Sequence, residues 1–314
     1  MRIDVIVNAT ARRHAARPGL LQQIRRACAG IASVHETTTL AELDAAARAL
    51  AERGTDLVLL SGGDGTFMAG VTALSRAFGD DAIPRIGLVP GGTVATIARN
   101  FGTTGDPLDV LARLLRAPER LRDVSRPTLR VRGVRAGAEE ARVGFIFGTG
   151  LVASFFDVYY ADGARGYAGA ARIVARIFAE SFWDGPYARR VLDPMPCTIE
   201  VDGAPLAPRA WSLICAAVVR DLGIHMLVTY RAGEDPARPH LVASPLRSRE
   251  LGPRAPLVLA GRRIGGEGHF DDLVGEFVVR FPGVGSYVLD GDVLRAESVQ
   301  VSAGPRLRVV ETPR

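Results

Sequence analysis

Two glycine-rich turns carry the residue types that binding a phosphate would require. The first, Gly62-Gly63-Asp64-Gly65-Thr66, follows directly on the apolar run Leu57-Val58-Leu59-Leu60. Glycines at 62, 63 and 65 leave the turn without Cβ atoms, so a bulky anion could approach the backbone closely. Thr66 stands where a helix N-cap would be, which would aim free N–H groups at that anion, and Asp64 puts one carboxylate inside the cradle. The second turn, Gly91-Gly92-Thr93, ends the apolar segment Arg85-Ile86-Gly87-Leu88-Val89-Pro90 and again has a threonine at a helix entrance. Each turn also has a plain structural reading, in which the glycines only permit positive φ and the Asp caps a helix. Two such turns on neighbouring parallel strands would share one carboxyl edge, where open α/β sheets bind ligands, and their joint occurrence favours the phosphate reading.

The remaining composition removes other chemistries. All 39 basic residues are arginine, so there is no P-loop lysine, no kinase-type strand lysine and no Schiff-base chemistry. Phosphate charge must be met by backbone N–H groups, arginine or a metal ion. The five histidines show no paired metal spacing and no nucleophile elbow accompanies them, which argues against a serine hydrolase. Cys28, Cys197 and Cys215 are far apart and odd in number, and read as buried thiols in a reducing compartment. The net charge of +5 suits an anionic membrane surface. Nucleic acid would suit it too, but no aromatic and basic recognition motif accompanies the arginines, so no nucleic-acid partner is expected. No apolar run approaches the length of a membrane span, and Met1–Asn8 reads as a strand without a preceding leader, so a cytoplasmic location is expected.

The elements that must hold these turns follow from periodicity. A first parallel strand ends at Asn8, and an arginine-rich helix is expected over about Pro18–Ala29. A second strand over Ile31–Glu36 leads through Thr37-Thr38-Thr39, one of which is an N-cap, into a helix with Leu40, Leu43, Ala47 and Leu50 on one face. After a helix over Asp106–Arg116 the pattern becomes β-rich with frequent turns, which favours a sandwich. Strands are expected at Met226–Arg231, Arg238–Ala243 and Leu257–Ala260, among others. The aromatic segments from Phe155 to Tyr160 and from Ile173 to Trp183 have helical spacing; core packing, an acyl slot and interfacial insertion all remain open for them. Near the chain end, Asp290-Gly291-Asp292 sits between apolar runs, a pattern that signals a tight hairpin.

The order Gly62-Gly63-Asp64-Gly65-Thr66 resembles the GGDGT signature of the diacylglycerol kinase catalytic-domain superfamily, which includes sphingosine and ceramide kinases. NAD kinases and phosphofructokinases carry related loops. The second turn looks like the PxGTxND segment of the lipid kinases, with Ala95 and Thr96 in place of Asn-Asp, and Asp290-Gly291-Asp292 looks like their late DGE motif, with Asp292 in place of Glu. Asn8 matches the first residue of the superfamily's usual Asn-Pro, while Ala9 departs from it.

The resemblance implies an α/β chain with an N-terminal doubly wound, Rossmann-like (NAD kinase/diacylglycerol kinase-like) domain over 1–125, rejoined by 304–314, and a C-terminal β-sandwich domain over 126–303. It implies an ATP-dependent lipid kinase in which Asn8, Thr37, Gly62, Gly63, Asp64, Gly65, Thr66, Gly91, Gly92 and Thr93 bind the nucleotide. Asp64 would hold Mg²⁺, directly or through water. Asp290 would be the catalytic carboxylate and Asp292 its companion. The expected partners are a lipid substrate and the inner membrane surface, approached peripherally; homodimerisation stays open. Two rivals remain: an NAD kinase-like enzyme, which would add an Asn-Glu motif absent here, and a non-catalytic lipid- or nucleotide-binding member of the fold.

Overall fold

The computed structural model describes residues 1–11, 14, 16–17, 19–92, 95–163 and 166–311. The chain divides into two compact units, Met1–Thr128 with Pro305–Arg314, and Leu129–Gly304.

The first unit alternates strands and helices: β1 (Ile3–Asn8), α1 (Leu20–Cys28), β2 (Ser33–Thr37), α2 (Leu40–Arg53), β3 (Leu57–Gly62), α3 (Asp64–Phe78), β4 (Arg85–Pro90), α4 (Thr96–Asn100), α5 (Pro107–Arg116) and β5 (Asp123–Arg126). The sheet runs β2-β1-β3-β4, then the chain's last strand, Leu307–Val310, then β5. The pairings from β2 through the last strand are parallel; only β5 is antiparallel. Leu57, Val58, Leu59 and Leu60 are all fully buried, as a strand covered on both faces requires. Leu57 and Leu59 pack with Leu20 and Ile24 of α1 and Leu111 and Leu114 of α5. Each such leucine removed from water contributes about 1.5–3 kcal/mol.

Helix α1 is described from Leu20; Pro18, included in the expected helix, lies outside the described residues. In α2, Leu43, Ala47 and Leu50 form the buried stripe, while Leu40 is exposed because it occupies the first turn, beside the cap. That cap is Thr39: its hydroxyl accepts from the Glu42 N–H, and the Glu42 carboxylate accepts from the Thr39 N–H. Near the amino end of β1, fully buried Asp4 accepts from Thr55 Oγ1 at 2.7 Å, His35 Nε2 at 2.8 Å and Arg53.

The second unit contains β6 (Leu129–Arg135), β7 (Ala138–Gly144), β8 (Ile146–Gly150), α6 (Leu151–Ala161), α7 (Gly166–Ser181), α8 (Pro186–Leu192), β9 (Met195–Pro196), β10 (Thr198–Val201), β11 (Ala204–Pro205), β12 (Ala210–Trp211), β13 (Leu213–Ala217) and β14 (His240–Ser244). Two short helices, α9 (Ser248–Leu251) and α10 (Ala255–Leu259), precede β15 (Phe270–Leu273), β16 (Glu276–Leu289) and β17 (Asp292–Ala303); the last strand is β18.

One antiparallel sheet of ten strands has the path β15-β14-β13-β8-β16-β17-β6-β7, with β10 on β16 and β11 on β10. The expected antiparallel β-rich unit is present, and its hydrogen bonding is continuous. The sheet curls back on itself: a Cβ on Gly133 of β6 would lie 2.9 Å from Tyr287 Oη of β16, and one on Gly144 of β7 would lie 2.6 Å from Asp290 Oδ2. Val158, Ile173, Ile177 and Val191 of the helices pack on Leu213, Cys215 and Val242 of the sheet.

Two strand expectations are corrected. Met226–Arg231 forms turns, because left-handed φ at Ile224 and His225 folds the segment back and its amides bond locally, Met226 N–H to the Gly223 carbonyl among them. Leu257–Ala260 belongs largely to α10, where Pro256 occupies the first turn and Val258 enters the core. All three cysteines are buried and free, and burial pushes the Cys28 thiol up to about 11.

At the far edge of this sheet the buried Asp271 carboxylate accepts from His240 Nε2 at 2.8 Å and from Tyr230 Oη at 3.3 Å, with His269 Nε2 at 3.5 Å. Burial alone would raise its pKa, but the two imidazoles outweigh that and hold the carboxyl well below the aspartate range. Asp4 behaves alike: burial opposes ionisation, and Arg53, His35 and Thr55 overcome it. For both groups the unfolded chain binds its proton first as pH falls, so their stabilisation is present above about pH 4 and is lost below it, toward the depressed folded values. Urea unfolding between about pH 5 and pH 2 is expected to show falling stability, with a flatter slope in Asp271→Asn.

Candidate active site

The carboxyl ends of four parallel strands lie along one edge, with Asn8 paired to Thr37, Val7 to Ser61 and Gly62 to Pro90. Helix α3 starts at Asp64, so its N-cap is Gly63 in an extended conformation; Thr66, expected at the cap, lies inside the first turn. A glycine cap offers no side chain to the first helical amides, which lack intrahelical acceptors. Gly65 and Thr66 are thus part of a fifteen-residue helix whose positive end opens at the sheet edge.

The glycines serve a contact between the two turns. A Cβ on Gly92 would stand 2.7 Å from Gly63 Cα, one on Gly62 would meet Thr66 Oγ1 at 2.5 Å, and one on Gly91 would meet His14 Nε2 at 2.8 Å. The Gly91 N–H donates to the Gly62 carbonyl at 2.6 Å. Gly92→Ala is expected to force the turns apart and cost about 1–3 kcal/mol, whereas Gly63→Ala, whose Cβ would sit 3.4 Å from Gly92 Cα, is expected to cost much less. Thermal unfolding of the two variants compares them. Thr93 lies outside the described residues.

Asn8 ties the first loop to this edge. Its Nδ2 donates to Thr66 Oγ1 at 2.9 Å, and its Oδ1 accepts from the N–H and hydroxyl of Thr10. Thr37 is buried beside it as the last residue of β2, while the capping role belongs to Thr39. His14 joins the same edge: Nδ1 lies 2.6 Å from the Asn8 carbonyl, which can only accept, so Nδ1 carries the proton and Nε2 accepts from Ser61 Oγ at 3.2 Å. His14 carried no spacing signal in the sequence. Ser61 could have been noticed as a hydroxyl that ends a fully buried run.

Asp64 is tied to the helix that follows the second turn. Its Oδ1 accepts from the Ile97 N–H and its Oδ2 from the Thr96 N–H, each at 2.9 Å, so the carboxylate caps α4 from outside that helix. Burial pushes its pKa up, against the Ile97 and Thr96 amides, the Thr96 hydroxyl and the positive charge of Arg99. Each oxygen accepts one amide and keeps a further lone pair, and among the described residues no group of three or more His, Cys, Asp or Glu could hold a metal ion. Ala95, where the resemblance expects Asn, adopts a left-handed φ of 52°, a conformation Asn tolerates better than Ala.

In the second unit, Leu289 pairs with Asp292, which leaves Asp290 and Gly291 as a two-residue turn with φ 50° and 93°. This is the hairpin that Asp-Gly signals. The turn also carries a buried carboxylate: Asp290 Oδ1 accepts from the Ile146 N–H at 2.9 Å and Oδ2 from the Phe145 N–H at 3.0 Å. Tyr160 of α6 donates to the Gly291 carbonyl at 3.3 Å, and Phe156 lies against the same glycine. Asp292 is at the rim, where desolvation pushes its carboxyl up and the charge of Arg142 pulls it back.

An open parallel sheet with two apposed glycine turns, in a chain that also carries an antiparallel β unit, defines a class of nucleotide-type α/β architecture. Residues 2–126 match the family described as the diacylglycerol kinase catalytic domain. Among solved structures, a protein described as a "putative diacylglycerol kinase" from Bacillus anthracis str. Sterne is similar with a TM-score of 0.68 at 13% identity, covering 99% of this chain and 97% of that one. A structure described as a diacylglycerol kinase from the same organism gives a TM-score of 0.63 at 13% identity, with the same coverage. At these identities the likeness is one of fold. Comparison with curated proteins gave no match. No helix among the described residues is long and apolar enough to cross a membrane.

Proposed function

We propose that this protein is an ATP-dependent lipid kinase that phosphorylates the hydroxyl of a membrane lipid such as diacylglycerol or ceramide. The observation that carries the reading is the pair of glycine turns in backbone contact beside the glycine-capped start of α3. That arrangement suits the phosphates of a nucleotide, with Asn8, Thr37, Gly62, Gly63, Gly65, Thr66, Gly91, Gly92 and Thr93 as the binding set. ATP supplies the γ-phosphoryl group, and Mg²⁺ would arrive as its complex rather than through a carboxylate cage built by the protein. The acceptor oxygen attacks γ-phosphorus, the bond to the β-phosphate oxygen breaks to release ADP, and Asp290 takes the hydroxyl proton. Asp290 is held for this by two backbone amides, and Asp292 stands beside it. The enzyme would meet its lipid at the inner membrane face without a spanning segment.

Transfer of labelled γ-phosphate to a panel of diacylglycerol, ceramide, sphingoid base, phosphatidylglycerol and NAD tests this. A labelled lipid is the expected result; labelled NAD alone would overturn it. A second reading rests on a specific observation: Asp64 and Asp290 both spend their oxygens on backbone amides, as aspartates that only hold a fold would. It expects lipid or nucleotide binding with no labelled product.

A further inference from the structure

The turn that ends α7 carries two adjacent aromatic side chains into solvent. Helix α7 stops at Ser181, and Phe182-Trp183-Asp184-Gly185 then leads into α8. Phe182 is 57% exposed and Trp183 60%, and the half-buried Phe178 meets the Phe182 ring edge-on with centroids 5.1 Å apart. None of the three belongs to the buried stripe of α7, which is Ile173, Ile177 and Ser181. Single exposed apolar residues are ordinary, whereas adjoining aromatics on one turn form a patch.

The structure holds this turn from both sides. Fully buried Ser181 donates to the Phe178 carbonyl at 2.6 Å and packs so tightly under Gly252, just beyond α9, that a Cβ there would overlap it. The Trp183 and Gly185 amides both donate to the Glu180 carbonyl, at 3.3 and 2.9 Å, and Asp184 takes a left-handed φ of 58°. The Glu180 carboxylate accepts from the Tyr187 N–H and from Arg176 Nε, each at 2.9 Å, and the Arg176 guanidinium lies 3.8 Å from the Tyr187 ring centroid. A Cβ on Gly185 would come within 2.9 Å of Trp183 Nε1, so the indole rests over that glycine. The two exposed rings therefore project from a fixed turn.

Basic side chains flank the turn. Arg189 and Arg190 on α8, and Arg249 on α9, which packs against α7 and α8, are exposed and form no ion pair among the described residues. Over 181–193 and 247–254 the chain has five arginines against three carboxylates, Asp184, Asp193 and Glu250. Aromatic rings beside exposed arginines match the two layers of a bilayer surface, since the rings settle at the headgroup–acyl boundary while guanidinium groups meet anionic headgroups. We propose that the Phe182–Trp183 turn is a membrane-docking tip that inserts into an anionic phospholipid surface. The inference deepens the lipid-kinase reading and rests on it for its purpose, since a lipid acceptor has to be reached in a bilayer; the contact itself needs neither nucleotide nor acceptor.

Trp183 supplies its own reporter, because the only other tryptophan, Trp211, is fully buried. The test uses vesicles of phosphatidylcholine with about 30% phosphatidylserine and no ATP, since neither lipid offers a hydroxyl acceptor. These vesicles are expected to shift Trp183 emission to the blue, and brominated acyl chains in them to quench it. Pure phosphatidylcholine is expected to bind about tenfold more weakly. The double variant Phe182→Ser, Trp183→Ser is expected to lower vesicle partitioning about 10–100-fold in sedimentation, with thermal unfolding unchanged. Arg189→Gln with Arg190→Gln is expected to remove most of the preference for the anionic lipid. Unmoved emission, absence of quenching, or wild-type partitioning of the double variant would overturn the proposal. So would a blue shift that grows with protein concentration without vesicles, which would make the turn a contact between copies of this chain. Quenching in the wild type decides the matter should a variant not fold. If the wild type docks but labels no acceptor, the kinase reading fails by itself and the docking tip stands.

Discussion

Asp290→Asn is expected to lower phosphoryl transfer to lipid by about 10²–10⁴-fold, the range that a positioned general base contributes. The substitution suits the test because the turn survives it. Asp290 occupies the first left-handed position of a two-residue hairpin, and Asn-Gly is among the best sequences for that geometry. One Asn oxygen can still accept from the Phe145 or Ile146 amide, although its NH₂ group must face the other, so a moderate fall in thermal stability is expected beside the large fall in rate. Nucleotide affinity, which the proposed function assigns to the first unit, is expected to stay near its original value. Radiolabel transfer, calorimetric ATP binding and thermal unfolding separate these quantities; unchanged turnover would remove Asp290 from the mechanism.

The second large effect is expected at Asp64. Its two oxygens each accept one amide of α4, so an asparagine there sets an NH₂ group against a backbone N–H and surrenders the charge. Hydrogen bonds to a charged group are worth about 1.5–3 kcal/mol, and a loss of that size detaches the α4 start from the glycine turn it steadies. Asp64→Asn is therefore expected to lower the melting temperature and to weaken ATP binding about 10–100-fold. A metal ligand would behave differently, since its loss would shift the Mg²⁺ requirement and leave thermal stability nearly untouched. A Mg²⁺ titration at fixed ATP, run beside thermal unfolding, tells the two roles apart.

Much of the architecture was written locally. The apolar run Leu57–Leu60 can only be a strand buried on both faces, and glycines after it and after Val89 mark where the chain turns into helices. Asp290-Gly291 names its own turn type, and the absence of lysine limits phosphate recognition to backbone amides, arginine and metal from the start. Where local signals failed, competing short-range chemistry was the cause. Thr66 reads as a cap until Gly63 takes the extended conformation one turn earlier, and Leu257–Ala260 reads as a strand until Pro256 starts a helix.

The roles of the polar residues were decided elsewhere. Whether Asp64 faces a ligand or the amides of residues 96 and 97 depends on partners 32 and 33 positions away, and Asp290 finds its amides 144 and 145 positions away. Gly92 needs to be glycine because β3 and β4 bring its backbone against Gly63 Cα. The sequence by itself determined which segments turn, which are buried and which residue types the turns contain, because dihedral preference and apolar periodicity act over a few residues. Only the tertiary structure decided which backbone amides each carboxylate engages, because packing alone selects a hydrogen-bond partner so distant in the chain.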